Sequence, residues 1–184
     1  FCVRVNDGRV RVWRLPGERL RSDLVIPTVQ AGGGSVLVWG AIWGDGRHVF
    51  CIVPGTVNAV VYRRILEQFL HRYSDRLPEN WILQDDNAPP HRAHIVDEFK
   101  RDHGIRSLPW PARSPDLNPI EHVWDYLGRR VQEQQLPAAN AAELSDRLRG
   151  AWREMSFDFV RKLIASMTRR VEAVVLARGG HTRY

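Results

Sequence analysis

Two carboxylates, Asp86 and Glu121, are the residues in this sequence best placed to do chemistry, with 34 residues between them. Asp86 follows the short apolar run Trp81-Ile82-Leu83 through Gln84-Asp85. Sites in α/β folds gather at the C-terminal ends of strands. Glu121 sits where Asn118-Pro119 would open a helix, since Asn is a favoured cap and Pro a favoured first residue. Paired carboxylates without a His/Cys ligand set suit hard cations, and Mg²⁺ prefers oxygen ligands while keeping several waters. Two such ions about 3.5–4 Å apart can activate a nucleophile and stabilise the leaving oxygen of a phosphodiester.

Each acid also has a structural alternative. Asn118-Pro119-Ile120-Glu121 fits a capping box, with Glu121 at the third helical position. Asp86 could cap a turn ahead of Pro89-Pro90. Asp85 is a rival to Asp86, because a one-residue shift turns a strand side chain to the opposite face. His91 and His94 are three apart, but no HExxH pattern and no third ligand accompany them, so they read as surface or cap histidines.

The elements that must position the two acids follow from periodicity. Phe1, Val3 and Val5 alternate, Asn6-Asp7-Gly8-Arg9 turns, and Val10, Val12 and Leu15 continue, which predicts a hairpin. An irregular excursion with Pro16-Gly17, Pro27 and Gly32-Gly33-Gly34 follows, so that residues 6–35 form a hairpin and loop inside the domain. Ser35–Ile42 and Val49–Val53, joined by Gly44-Asp45-Gly46, predict a second hairpin. From Asn58 the period changes to that of an amphipathic helix, carried by Val61, Ile65 and Phe69 and ending before Pro78. Short strands are expected at Trp81–Leu83 and Ile105–Leu108. Helices are expected over about 90–101, 118–134, 141–155 and 157–177. Strands first, then β–α–β units, give an α/β domain: a mixed sheet with helices on both faces. No internal repeat is present.

Composition agrees with a single domain over residues 1–184. Hydrophobic residues make up 43% and charged residues 26%, as in globular proteins. No apolar run reaches the roughly 18–20 residues that span a bilayer, and Phe1 opens a polar, alternating stretch rather than a secretory signal. Cys2 and Cys51 have no CxxC partner and read as buried free thiols. Trp39, Trp124 and Trp152 read as core. The net charge of +6 and the arginines crowding the N-terminal stretch (Arg9, Arg11, Arg14, Arg19 and Arg21 among them) favour a polyanionic partner.

Several motifs carry a resemblance. They are Val12-Trp13-Arg14, Gly32-Gly33-Gly34-Ser35 with Val38-Trp39-Gly40, Gly55-Thr56-Val57-Asn58, and the closing Gly179-Gly180-His181-Thr182. The most specific are Gln84-Asp85-Asp86-Asn87-Ala88-Pro89-Pro90-His91 and the run from Leu108 through Ser114-Pro115-Asp116-Leu117-Asn118-Pro119-Ile120-Glu121. Together they resemble the mariner superfamily of DNA transposases, in the Tc-type branch whose third acid is a glutamate, along essentially the whole chain.

The resemblance implies an RNase H-like fold and a metal-binding triad of two aspartates and a glutamate, with Mg²⁺ or Mn²⁺ as cofactor. Asp86 matches the second aspartate and Glu121 the third acid. It implies hydrolytic cutting at transposon ends and attack of a 3′ hydroxyl on target DNA, in a nuclear homodimer. The family's first aspartate would lie a few residues before Phe1, with the helix-turn-helix region that reads transposon ends further upstream. The first central strand would then be cut short, and residues 1–184 alone would be inactive. Asp7 and Asp45 are not positioned to substitute. DNA contacts fall on Arg9, Arg11, Arg14, Arg19, Arg21 and His91. The alternative is a non-catalytic, transposon-derived module for DNA binding or assembly.

Overall fold

The structure, a computed structural model, describes residues 1, 34–112, 114–134, 136–180 and 182–184. The hairpin expected at 1–15, the excursion that follows it, the N-terminal arginines and Cys2 therefore lie outside the described residues, apart from Phe1. The chain divides into two compact units, one of residues 1–52 and 122–164 and one of residues 53–121 and 165–184.

In the first unit, β1 (Leu37–Ile42) and β2 (His48–Val53) form the expected hairpin. In its turn the Trp43 N–H donates to the Arg47 carbonyl at 3.0 Å and the Gly46 N–H donates to the Trp43 carbonyl at 2.9 Å. Gly46 has φ +95°, and a Cβ there would lie 2.5 Å from the Phe157 carbonyl oxygen, so only glycine fits. Phe1 exchanges two backbone hydrogen bonds with Val36, at 2.7 and 2.8 Å.

Three helices complete this unit: α3 (Ile120–Gln132) from His122 onward, with Ile120 and Glu121 belonging to the second unit, α4 (Ala141–Glu154), and α5 (Phe157–Ala165) up to Ile164. They bury Val123, Leu127, Leu144, Leu148, Trp152 and Val160. The hairpin rests on indoles: Phe50 stacks on Trp152 at 4.9 Å, and Trp152 lies 6.0 Å from Trp124. Gly40 permits this approach, since a Cβ would meet Trp152 at 2.8 Å and Trp124 at 2.9 Å. Of the three tryptophans expected in the core, Trp152 is buried and Trp39 and Trp124 are half-buried. Helix α4 starts with a reciprocal cap. Asn140 Oδ1 accepts from the Glu143 N–H at 3.0 Å, and Glu143 reaches back to the Ala139 N–H at 2.7 Å.

In the second unit, α1 (Ala59–Tyr73) is capped by Asn58, whose side chain accepts from the Val61 N–H at 2.9 Å. It buries Tyr62, Ile65, Leu66 and Phe69, a helical stripe, and packs on α2 (His94–Asp102), which buries Val96, Phe99 and Lys100. The helix expected over 90–101 is split. Pro89–Arg92 forms a 3-10 turn, Ala93 is extended, and α2 begins only at His94.

The two short strands are reduced to one parallel bridge, Leu83 with Ser107. The Leu83 N–H donates to the Arg106 carbonyl and the Leu108 N–H to the Leu83 carbonyl, both at 2.8 Å. The ladder stops there because the Asp85 carbonyl accepts from the Arg92 side chain instead, at 3.0 Å. Ile82, expected in a buried strand, is exposed. The long helix expected over 157–177 is two helices, α5 and α6 (Met167–Leu176), interrupted at Ser166.

Candidate functional site

Four consecutive side chains, Gln84 to Asn87, tie the end of the bridge strand to the rest of the second unit, and each does something different. Gln84 Nε2 donates to Asn118 Oδ1 at 3.2 Å. This joins the segment carrying Asp86 to the cap of the helix that carries Glu121. Asn87 Nδ2 donates to the Trp110 carbonyl at 2.7 Å, binding the same segment to the Pro-rich stretch before Glu121.

Asp85 is sequestered. Its side chain is 5% exposed, and Oδ2 accepts from Lys100 Nζ at 2.7 Å and from the Tyr62 hydroxyl at 2.9 Å. Arg92 Nη1 lies 3.1 Å from Oδ1 as an ion pair outside hydrogen-bond alignment. Lys100 is equally buried, so Asp85 and Lys100 neutralise one another where neither would be tolerated alone. Burial and the adjacent Asp85 carboxylate push the Tyr62 phenol far above the ordinary tyrosine value, so it stays a donor.

Asp86 faces the other way chemically. Its side chain is 53% exposed. Oδ1 accepts from the Ala88 N–H at 2.9 Å, the turn-capping contact expected of an aspartate here, and lies 2.7 Å from His91 Nδ1. Both contacts fall on one oxygen. Among the described residues Oδ2 has no hydrogen-bond or ion-pair partner, which leaves it available to a cation. The rivalry between the two aspartates thus resolves in space: Asp85 is consumed by the fold, whereas Asp86 is presented.

Two side chains hold Asp86 in place that no sequence pattern marked for the purpose. Arg92 donates through Nε to Asn87 Oδ1 at 2.9 Å and through Nη2 to the Asp85 carbonyl at 3.0 Å. One planar guanidinium therefore staples the residues on either side of Asp86. His91 lies against the Tyr62 ring at 4.0 Å between centroids, with its buried Nδ1 directed at Asp86 and no aligned hydrogen bond. The structure thus places His91 beside Asp86, with its side chain 20% exposed. His94 is exposed and pairs with Glu98 at 3.3 Å.

Glu121 is exposed in the first turn of α3. The Glu121 N–H donates to the Asn118 carbonyl at 3.2 Å. A capping-box glutamate would accept the Asn118 N–H, but that group donates to the Pro115 carbonyl at 2.9 Å. The 3-10 turn Pro115–Leu117 thus binds the Asn118 N–H. Cys51, expected to be buried, is half-buried, with its thiol pushed up by desolvation. Among the described residues no group of three or more His, Cys, Asp and Glu side chains is gathered as a metal cage. Any ion here would rest on few protein oxygens and on water, as Mg²⁺ usually does.

Comparison with known families decides the broader identity. The sequence profile of the DDE superfamily endonucleases matches residues 2–144. The chain belongs to the DDE superfamily of endonucleases. Within it, this DDE domain is similar to the Tcb1 transposase of Caenorhabditis briggsae, 37% identical over 181 residues, and to the Tc1 transposase of Caenorhabditis elegans, 35% identical. Each match covers 97% of this chain, and the chain spans 65% of the length of those relatives. The mixed α/β fold is that of the Mos1 mariner transposase. The isolated Mos1 catalytic domain matches 80% of the chain and 82% of its own length, with TM-score 0.65 at 20% identity. A Mos1 paired end complex with Mg matches 95% of the chain and 52% of its own length, with TM-score 0.71 at 22% identity. No helix of the described residues is long and apolar enough to cross a membrane.

Proposed function

We propose that this DDE domain is the catalytic part of a cut-and-paste DNA transposase, and that Asp86 and Glu121 bind the same divalent ions, Mg²⁺ or Mn²⁺. One observation carries this reading. Of two adjacent aspartates, one is buried in an ion cluster while the next offers an unclaimed carboxylate oxygen, on a segment hydrogen-bonded to the cap of Glu121's helix. Hard-cation chemistry needs anionic oxygens whose lone pairs are not already taken. When bound, divalent ions supply charge neutralisation at the scissile phosphate and activation of the attacking oxygen.

The chain's own residues do the positioning. Arg92 ties the Asp85 carbonyl to the Asn87 side chain across Asp86, and the Ala88 N–H binds Oδ1, with His91 Nδ1 close beside it, so that Oδ2 stays open. The same proposal takes the first aspartate of the triad that the resemblance implies, DNA ends and target DNA as substrates, a homodimer in the nucleus, and an RNase H-like mixed sheet flanked by helices on both faces. The parallel bridge at Leu83 and Ser107 supports that sheet. The Mos1 structures of paired end complexes with Mg and with Mn are the solved relatives that support divalent ions and DNA ends.

The test is cleavage of the element's own terminal DNA in Mn²⁺ by the protein that carries this domain. Asp86→Asn and Glu121→Gln are each expected to lower the rate by more than about a hundredfold. Cleavage at an unchanged rate by either variant would overturn the assignment.

A further inference from the structure

We propose that the C-terminal tail, Thr182 to Tyr184, together with Arg170 forms a latch that sets the position of Glu121 through the 115–121 segment; the proposal rests on the reading of Glu121 as a metal ligand. Neither the tail nor Arg170 has a part in the site described above.

Arg170 is the key component. It is 1% exposed, the largest of the fully buried side chains among the described residues. Burying a guanidinium is costly unless its donors are satisfied and its charge is met. Among the described residues no Asp or Glu side chain lies within ion-pair distance of it. Its partners are instead Ser166 Oγ, at 2.8 Å from Nε, and the Asp116 backbone carbonyl, at 2.6 Å from Nη1. The Tyr184 ring covers it, with its centroid 4.8 Å from Cζ. A hydrophobic side chain of the same volume would fill this space at lower cost. What arginine adds is a directed bond to one carbonyl, five residues before Glu121.

The tail grips the same residue from its side chain. Thr182 Oγ1 donates to Asp116 Oδ2 at 3.0 Å, across 66 residues of sequence. The chain can return to this point because α6 ends in a tight reversal, with Arg178 at φ 51° and Gly179 at φ 78°. Asp116 is thus held twice, by its carbonyl through Arg170 and by its carboxylate through Thr182. From there to Glu121 little freedom remains. Asp116 and buried Leu117 lie in a 3-10 turn, the Asn118 N–H is bound to the Pro115 carbonyl, Asn118 Oδ1 receives Gln84, and Pro119 has a fixed φ. A shift at Asp116 is therefore passed on to the start of α3 instead of being absorbed on the way.

The test is a Mn²⁺ titration of the full-length protein that carries this domain, followed by the EPR signal of free Mn²⁺, with thermal melting on the same samples. Asp86→Asn and Glu121→Gln are the reference variants and should abolish the tight binding. Thr182→Val keeps the shape of the side chain and removes its hydroxyl. It is expected to weaken Mn²⁺ affinity by roughly two- to tenfold, the worth of one lost hydrogen bond, while the melting temperature falls by no more than about 6 °C, the same bond's worth in the metal-free fold. Thr182→Ser should restore the affinity. Arg170→Met should weaken it at least as much, provided that the variant folds. Wild-type affinity in Thr182→Val, with binding lost in both reference variants, overturns the latch and leaves the metal site standing. A larger fall in melting temperature makes the tail a general stabiliser and also overturns the latch. Unchanged binding in the reference variants overturns the metal reading, and the latch with it.

Discussion

Replacing Lys100 by methionine separates the roles of the two neighbouring aspartates. The side chain keeps most of its length and loses its charge, which leaves the Asp85 carboxylate buried with only the Tyr62 hydroxyl and the off-axis Arg92 beside it. Removing one partner of a buried ion pair typically costs about 3–5 kcal/mol. The hydrogen bond retained from Tyr62 offsets about 1 kcal/mol of this, so a net loss of about 2–4 kcal/mol is expected. In a chain of this size each kcal/mol lowers the melting temperature by about 2–4 °C, which gives a drop of roughly 5–15 °C. Asp85→Asn added to Lys100→Met removes the stranded charge, and the double variant should recover at least about 1 kcal/mol relative to the single one. Asp86→Asn, at an exposed carboxylate, should stay within about 0.5 kcal/mol of wild type. Urea unfolding followed by tryptophan fluorescence and calorimetry measures all four proteins. A Lys100→Met variant as stable as wild type, or an Asp86→Asn variant destabilised to the same degree, would refute the division between a structural and a presented aspartate.

Three further outcomes follow from the packing. The Tyr62 phenol is raised far above 10.0, so the folded protein keeps a proton that the unfolded chain releases near that value. The stability this gives is complete below about pH 10 and falls as the pH rises beyond it. Ultraviolet titration should show one tyrosine ionising only on unfolding, a phase missing in Tyr62→Phe. Asn140→Ala removes the cap of α4 and should cost about 1 kcal/mol, read by urea unfolding, whereas Asn140→Ser should cost little. Gly40→Ala drives a methyl into Trp152 and Trp124 and should cost about 1–3 kcal/mol, with an altered near-ultraviolet circular dichroism spectrum from the displaced indoles.

Where local chemistry decides structure, the sequence was legible. Asn58 caps α1 as its position suggests, Gly44-Asp45-Gly46 turns the 35–53 hairpin, and Asn118-Pro119 opens α3. Asp86 and Glu121 stood out as candidates because each combines a polar setting with a strand end or helix start, and the family resemblance, not their spacing, set them above their structural alternatives. What stayed hidden depends on contacts distant in sequence. The choice between Asp85 and Asp86 is made by Tyr62, 23 residues before Asp85, and Lys100, 15 after it, neither of which belongs to a recognisable pattern. The break between α5 and α6 falls at Ser166, which is buried and receives Arg170. Periodicity runs smoothly across it, since Val160, Leu163 and Arg170 all face inward. The short bridge at Leu83 has a similar cause, a side-chain donor taking the carbonyl that a longer strand would need. The polar run Gln84-Asp85-Asp86-Asn87 after an apolar strand was the one available signal that this segment is held by side chains.

The central claim is that Asp86 and Glu121 share divalent ions, and the anomalous scattering of manganese in crystals of the domain grown with Mn²⁺ tests it most directly. The predicted map has a manganese peak with a carboxylate oxygen of Asp86 and one of Glu121 both in its coordination sphere, at about 2.0–2.2 Å. A peak bound by Asp86 while Glu121 turns away, or by neither residue, would contradict the account.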